Sequence, residues 1–430
     1  MALTARAPLL ALLGIVPVVL LPSLWTVLGV LVVLAAVTVA DVLLAAPVSS
    51  LRVTRSGATG CRLGTEADVH LSLVNGGSRR LRGVLRDAWV PSAGAAPKVQ
   101  PIDIPAGERR ILTTHLRPTR RGDRHPARVT VRSIGPLGVA ARQGAHVVPW
   151  RVRVQPPFTS RKFLPERLAR LRQLDGLVAA RVRGQGTEFD TLRDYVDGDD
   201  VRSIDWRATA RRSTVVVRTW RPERDRRLLL VLDTSRTSAG RVGDVPRLDA
   251  ALDAALLLTA LATRAGDHVD LIAMDRELRA AVQDVGRNEL LARMVDAMAG
   301  LEPALVESDG RRLVSEVLRR ARRRSLVVLF TTLDRPALEE GLLPSLASLT
   351  SRHMVVLASV GDPRVEEMAM ARSEISAVYD AASAERHREE RRRTTSLLRR
   401  RGVEVIDAPP ESFAPAVTDA YLALKAAGRL

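Results

Sequence analysis

The sequence is short of several residue types, and each shortage excludes something. It has one cysteine, Cys61, so an intrachain disulfide or a multi-cysteine zinc site is excluded. That cysteine has no surrounding pattern of a nucleophile and reads as a structural residue. Only Lys98, Lys162 and Lys425 are lysines, so the formal charge of +18 is carried almost wholly by arginine. Aromatic residues are 3% of the chain. Scattered arginines without aromatic platforms do not make a nucleic-acid footprint, and no specific nucleic-acid partner is expected. The seven histidines are dispersed without metal-ligand spacing, and no glycine-rich phosphate loop occurs.

Charge is also nearly missing from residues 7–46, where Asp41 alone carries one. Forty apolar residues are too many for one membrane crossing and suit two, at roughly 20 per crossing. They also far exceed the apolar core of a cleaved signal. Pro22-Ser23 supplies a break. A two-helix hairpin over residues 1–47 is therefore expected, with the lipid bilayer as partner. Arg6 precedes it and Arg52 and Arg55 follow it, while the turn is uncharged. The positive-inside rule then puts both ends, and the soluble part, in the cytoplasm of a two-pass protein of the cell membrane.

Residues 48–156 carry short β-like runs such as "ADVHLSLVNGG" and "ARVTVRSIGPLG", punctuated by Gly, Pro and Asn, and predict an all-β, sandwich-like domain. Residues 157–225 form a connecting segment. From residue 226 to 430, apolar runs ("LLLVLD", "HVDLIAMD", "SLVVLFTTLD", "HMVVLASV", "GVEVIDA") alternate with helical stretches. That alternation predicts an α/β doubly wound parallel sheet, covered on both faces.

Ligands of such sheets sit at the strands' carboxyl ends. There "DTSRT" places Asp233, Ser235 and Thr237 around one tight loop, and "TTLD" brings Thr331, Thr332 and Asp334 to the same edge. One carboxylate with hydroxyls suits a hard cation such as Mg²⁺, which keeps open positions for a partner's acidic group. The alternative is local: Asp233 caps the following turn and the hydroxyls satisfy loop amides.

The connecting segment holds "GQGTEFDTLRDYVDGDDVRSIDWRATARR", residues 184–212, with seven acids and five arginines. Its acids are Glu188, Asp190, Asp194, Asp197, Asp199, Asp200 and Asp205. As a catalytic site it lacks a nucleophile, a histidine and a phosphate loop. A metal-dependent hydrolase using Asp197, Asp199 and Asp200 remains the alternative. The favoured reading is a structural junction. Asp199 or Asp200 caps a helix, Arg193, Arg202, Arg207 and Arg211 pair with the aspartates, and Phe189, Tyr195, Ile204 and Trp206 are buried anchors. The later run "AERHREERRRTTSLLRRRG", residues 384–402, reads as a solvent-laced helix.

The D-x-S-x-[ST] loop opening an α/β domain resembles the von Willebrand factor A domain and its metal-ion-dependent adhesion site. In that pattern, Thr237 stands at the last hydroxyl position. Ser308 is the nearest candidate for a mid-domain threonine. Thr332 stands where an aspartate is usual, with Asp334 two residues on. The charged segment, followed by "LLLVLD", is similar to the bacterial family called domain of unknown function 58. "RRGDRHPARVTVRSIGPLGVAAR" and "YLALKAAGRL" fit the same family. In that family's signature the positions are Glu188, Arg193, Tyr195, Gly198, Asp199, Asp200, Arg202, Asp205 and Trp206. The resemblance implies no established enzymatic activity, an association with MoxR-type AAA+ ATPases and a role in assembling other proteins. The function expected is a non-enzymatic, membrane-anchored scaffold.

Overall fold

A computed structural model describes residues 2–181, 188–221, 226–371 and 374–430. It is a mixed α/β chain that divides into two compact units, Met1–Pro157 and Phe158–Leu430.

The first unit begins with apolar helices Arg6–Leu13 and Ile15–Leu20, followed by Leu24–Leu44. Ser23 starts the long helix, its hydroxyl accepting from the Trp25 N–H at 3.3 Å. Only this helix is long and apolar enough among the described residues to cross a membrane. The preceding 15-residue stretch spans roughly 22 Å at 1.5 Å per residue, short of a bilayer core. The two runs pack closely at Gly14, where a Cβ would come within 2.6 Å of Val30 Cγ1.

The rest of the unit is almost wholly strands. A five-stranded sheet runs Ala2–Leu3, Ala140–His146, Pro126–Ile134, Leu81–Trp89, Val99–Ile104. A four-stranded sheet runs Leu51–Gly57, Ala67–Asn75, Arg109–Leu116, Ala95–Ala96. Every pairing in both is antiparallel. Period-two burial puts Leu71, Leu73, Leu85, Leu112, Val129 and Val131 into one core.

Asp41 joins the long helix to this unit. Its carboxylate is fully buried and accepts N–H bonds from Leu137 (2.8 Å), Val139 (2.7 Å) and Ala140 (2.8 Å). A negative charge in an apolar helix is tolerable because three converging backbone amides replace water. Gly135 is required beside it, since a Cβ there would lie 2.2 Å from Asp41 Oδ1.

The second unit is built on a six-stranded sheet: β1 (Arg227–Asp233), β2 (His268–Met274), β3 (Leu278–Val282), β4 (Leu326–Phe330), β5 (Met354–Val360) and β6 (Val403–Ala408). Their order across the sheet is β3-β2-β1-β4-β5-β6, parallel except for β3, which runs antiparallel at the edge. The helices used below are α1 (Arg247–Arg264), α2 (Gly310–Arg320), α3 (Pro363–Met370), α4 (Ile375–Arg400) and α5 (Pro410–Ala426).

Alternate residues of β1 serve opposite faces. Leu228, Leu230 and Leu232 meet the core shared with α1 and α5, while Leu229 and Val231 meet the core shared with α2 and α4. Burial on both faces is why these strands read as unbroken apolar runs. Edge strand β3 went unread in the sequence because four of its five residues are not buried and no apolar run marks it. Strand order reverses between β1 and β4, which leaves a crevice at their carboxyl ends.

Candidate functional site: the crevice at the end of strand β1

The residues at that crevice converge on Asp233. Its side chain is buried, and its two oxygens have different partners. Oδ1 accepts the Ser235 backbone N–H at 2.9 Å, closing a local turn. Oδ2 accepts only hydroxyls, from Thr331 at 2.7 Å and Thr237 at 3.3 Å. Ser235 Oγ and Thr237 Oγ1 lie 3.0 Å apart, and Ser238 Oγ donates to the Asp233 carbonyl at 2.6 Å. One carboxylate oxygen is thus fixed by an amide. The other faces three hydroxyl oxygens, whose hydrogens can rotate away.

Burial pushes the Asp233 carboxyl up from its ordinary range, against the pull of hydrogen bonds from Thr331, Ser235 and Thr237. The cavity in front of it, about 320 Å³, is also lined by Glu307, Ser308, Thr332, Asp334 and Glu340. Of the residues expected at this edge, Asp233, Ser235 and Thr237 are in mutual contact. Asp334 and Ser308 line the same cavity. Thr331, not Thr332, reaches Asp233, while the Thr332 hydroxyl is buried without a hydrogen-bond partner. No group of three or more His, Cys, Asp or Glu side chains that could hold a metal occurs among the described residues. The donors fit a hard cation by kind, all being oxygens, with one carboxylate in the cluster.

Two features of the site escape sequence patterning. Asp275, one residue beyond β2, accepts from Thr234 Oγ1 (3.0 Å), Arg279 Nε (2.8 Å) and the N–H groups of Arg276 (2.6 Å) and Glu277 (3.0 Å). It pins the loop beside Asp233 from a separate strand. The far wall of the cavity is a π-helical turn, Leu338–Leu342, pressed against α2 at a glycine pair. A Cβ on Gly310 would lie 2.3 Å from the Gly341 carbonyl.

The charged segment forms a separate small structure. Strand Glu188–Asp194 pairs antiparallel with Val216–Arg221. The side chains of Glu188, Asp190 and the expected anchor Phe189, together with residues 184–187, lie outside the described residues. Asp199 accepts from Arg193 at 2.5 Å and from the Val196 N–H at 3.0 Å, with Gly198 at φ +105° making the turn. Asp200 caps a short 3-10 turn through the Arg202 N–H at 3.0 Å. Asp205 starts helix Trp206–Arg212, accepting from Arg207 and Ala208 N–H groups at 3.0 Å each and from Arg218 at 2.8 Å. Asp199 is held below the usual carboxylate range chiefly by Arg193, and Asp205 chiefly by the Ala208 amide.

One expectation is corrected. Trp206 is 67% exposed, Tyr195 and Ile204 are half-buried, and the ion pairs sit at the surface. Burial here falls to Val216 and Val217 of the neighbouring strand, leaving the short helix outside. Screened surface pairs fix a local shape and add little stability.

Comparison with known proteins places these features. Uncharacterized proteins of Mycobacterium tuberculosis and Mycobacterium bovis are 29% identical over 203 residues, covering 46% of this chain. The match spans 63% of those relatives' own length. Among solved structures, the CARDB domain of a Pyrococcus furiosus protein in complex with di-metal ions aligns with 24% of this chain and 86% of its own, at 19% identity and TM-score 0.19. A β-glucosidase from Listeria innocua aligns with 24% of this chain and 16% of its own, at 14% identity and TM-score 0.17. Scores this low carry no argument. The family described as "Protein of unknown function DUF58" matches residues 191–401, a segment that takes in the charged motif from Thr191 onward, the Asp233 crevice and helix α4, and leaves Glu188 outside.

Proposed function

We propose that the chain is a membrane-anchored, non-enzymatic scaffold that binds a protein partner at the Asp233 crevice of a von Willebrand A-like domain. The observation that carries this reading is the Asp233 cluster itself. A buried carboxylate and three hydroxyl oxygens gather at the strand-order reversal, with no histidine, cysteine or lysine on the cavity wall. Such a site has the oxygen donors to bind, and lacks the histidine that most often activates a serine or threonine hydroxyl.

Mg²⁺ is the cation this donor set suits, held by Asp233, Ser235 and Thr237, with Asp334 on the same wall. When bound, it would supply an open coordination position for a carboxylate of the partner. Without it, the same hydroxyls remain donors for an acidic side chain. The resemblance described above points to a MoxR-type AAA+ ATPase as that partner. The two antiparallel sheets around the shared core of the first unit support a sandwich-like reading of residues 48–156.

A two-pass hairpin with cytoplasmic soluble parts is the topology we favour. Residues Ala2–Leu3 pair with Ala140–Ala141, and Asp41 binds the amides of residues 137–140. Both ends of the apolar segment therefore meet at one place.

The test is affinity capture from native membranes with the full chain and its Asp233→Ala variant, each with and without EDTA. Loss of one partner in the variant, which still folds and melts cooperatively, is the expected result. Capture indifferent to both the mutation and EDTA would sink the reading.

A further inference from the structure

A second cavity opens at the carboxyl ends of β5 and β6, about 510 Å³ in volume, and shares no wall residue with the Asp233 crevice. Its floor is Gly361 and Asp362 after β5 and Asp407 to Pro409 at the end of β6. One wall is the arginine-rich helix α4. Arg388, Arg391, Arg392, Thr395 and Arg399 fall at helical spacings that put them on one side. The sequence reads this run as an amphipathic helix with a solvated face, and in the structure one face of it encloses a pocket.

Charge accounting separates the arginines. Asp407 is committed to Arg391, at 2.5 and 3.1 Å. Glu366 lies 3.4 Å from Arg388, and Asp362 caps α3 through the Arg364 N–H at 3.0 Å. Two guanidinium groups of the pocket wall are only loosely held among the described residues. Arg392 comes no nearer than 3.9 Å to Glu389, which Arg393 already holds at 2.8 Å. Arg399 makes one long bond, 3.4 Å, to the Val405 carbonyl.

The start of α5 adds little to these charges, because Pro410 has no N–H to offer and Glu411 lies in its first turn. Pro409 is its N-cap, no side chain caps it, and Pro409 lines the cavity. Two loosely held guanidiniums and the Thr395 hydroxyl suit an anionic, oxygen-rich group. No Phe, Tyr or Trp lines the pocket, and its one ring is the His387 imidazole.

We propose that this cavity is a binding site for a phosphoryl group, held by Arg392 and Arg399. Arginine's planar fork suits phosphate oxygens, and two such forks on one helix face oppose the charge of a phosphate monoester. The volume exceeds that of a lone phosphate, leaving room for an organic body against Val365 and Ala408. The group can come from a soluble phosphate ester or from a lipid headgroup.

The test uses the full chain in detergent, titrated calorimetrically with pyrophosphate, inorganic phosphate and citrate. Saturable pyrophosphate binding is expected, weakened about ten-fold or more in the Arg392→Gln/Arg399→Gln variant. It should be unchanged in Arg386→Gln, an exposed arginine of the same helix outside the pocket. An Arg392→Lys/Arg399→Lys variant keeps the charge and should retain part of the affinity, which guards against a folding defect in the glutamine pair. Phosphatidylcholine vesicles with and without phosphatidic acid distinguish the sources. Vesicle capture lost in the glutamine pair and competed by pyrophosphate assigns a lipid headgroup. Pyrophosphate binding without such capture assigns a soluble ester. The proposal is overturned by absence of saturation, by citrate binding as tightly as pyrophosphate, or by equal weakening in Arg386→Gln.

Discussion

At the scale of single residues, Asp233 carries opposed demands. Folding buries its carboxyl, which favours the protonated form, while a cation or a positive partner group requires the ionised form. A carboxyl whose folded pKa lies above its unfolded value, about 3.9, adds stability in full below that value. The contribution is lost as pH rises through the folded value. We therefore expect the wild type, in EDTA, to lose melting temperature relative to Asp233→Asn as pH is raised from acid to neutral. A difference independent of pH would show that this carboxyl is not the group under strain. Mg²⁺ at neutral pH should restore the wild type and leave the variant unmoved, measured by thermal denaturation in detergent.

The same residue shows what the sequence could convey. The loop from Asp233 to Thr237 is contiguous, so its convergence was readable. Which of Thr331 and Thr332 reaches Asp233 depends on how the chain leaves β4, and two adjacent threonines look alike in a string of letters.

Elements show the same divide more broadly. Strands buried on both faces announce themselves, and β1, β2, β4, β5 and β6 each lie within an apolar run quoted from the sequence. Edge strand β3 does not, because a strand with one solvated side and two arginine-flanked alanines lacks that pattern. Helix α4 begins at Ile375, before the arginine-rich run that drew attention to it. Its pocket was invisible in the sequence, since the lining comes from three segments that only the sheet order brings together. The exposed Trp206 has a related cause, because burial by a paired strand is a tertiary fact.

The π-helical turn beside the Asp233 crevice makes a prediction at this scale. Gly310 allows the start of α2 to touch the backbone at Gly341. Gly310→Ala forces those backbones apart and should cost about 1–3 kcal/mol, seen as a lower melting temperature. A variant that melts like the wild type would show that the turn yields easily.

At the scale of the whole molecule, Asp41 decides how the apolar segment is fastened. Asp41→Ala would leave two buried amides and one half-buried amide without an acceptor and should cost on the order of 3 kcal/mol, read as a lower urea midpoint in detergent. Asp41→Asn, which keeps one acceptor oxygen, should fall between. Equal stability of all three proteins would show that water takes over at the loop.

That fastening has a mechanical consequence. The β-strand unit does not hang from the proposed hairpin by a flexible leash. The hairpin's first residues and its last turn both grip the segment from residue 137 to 141. With the hairpin in a bilayer, as proposed, a partner that twists or pulls this unit would load the bilayer at once, with no slack to take up. In a scaffold worked upon by a motor, such an attachment serves as a fixed post against which force is exerted.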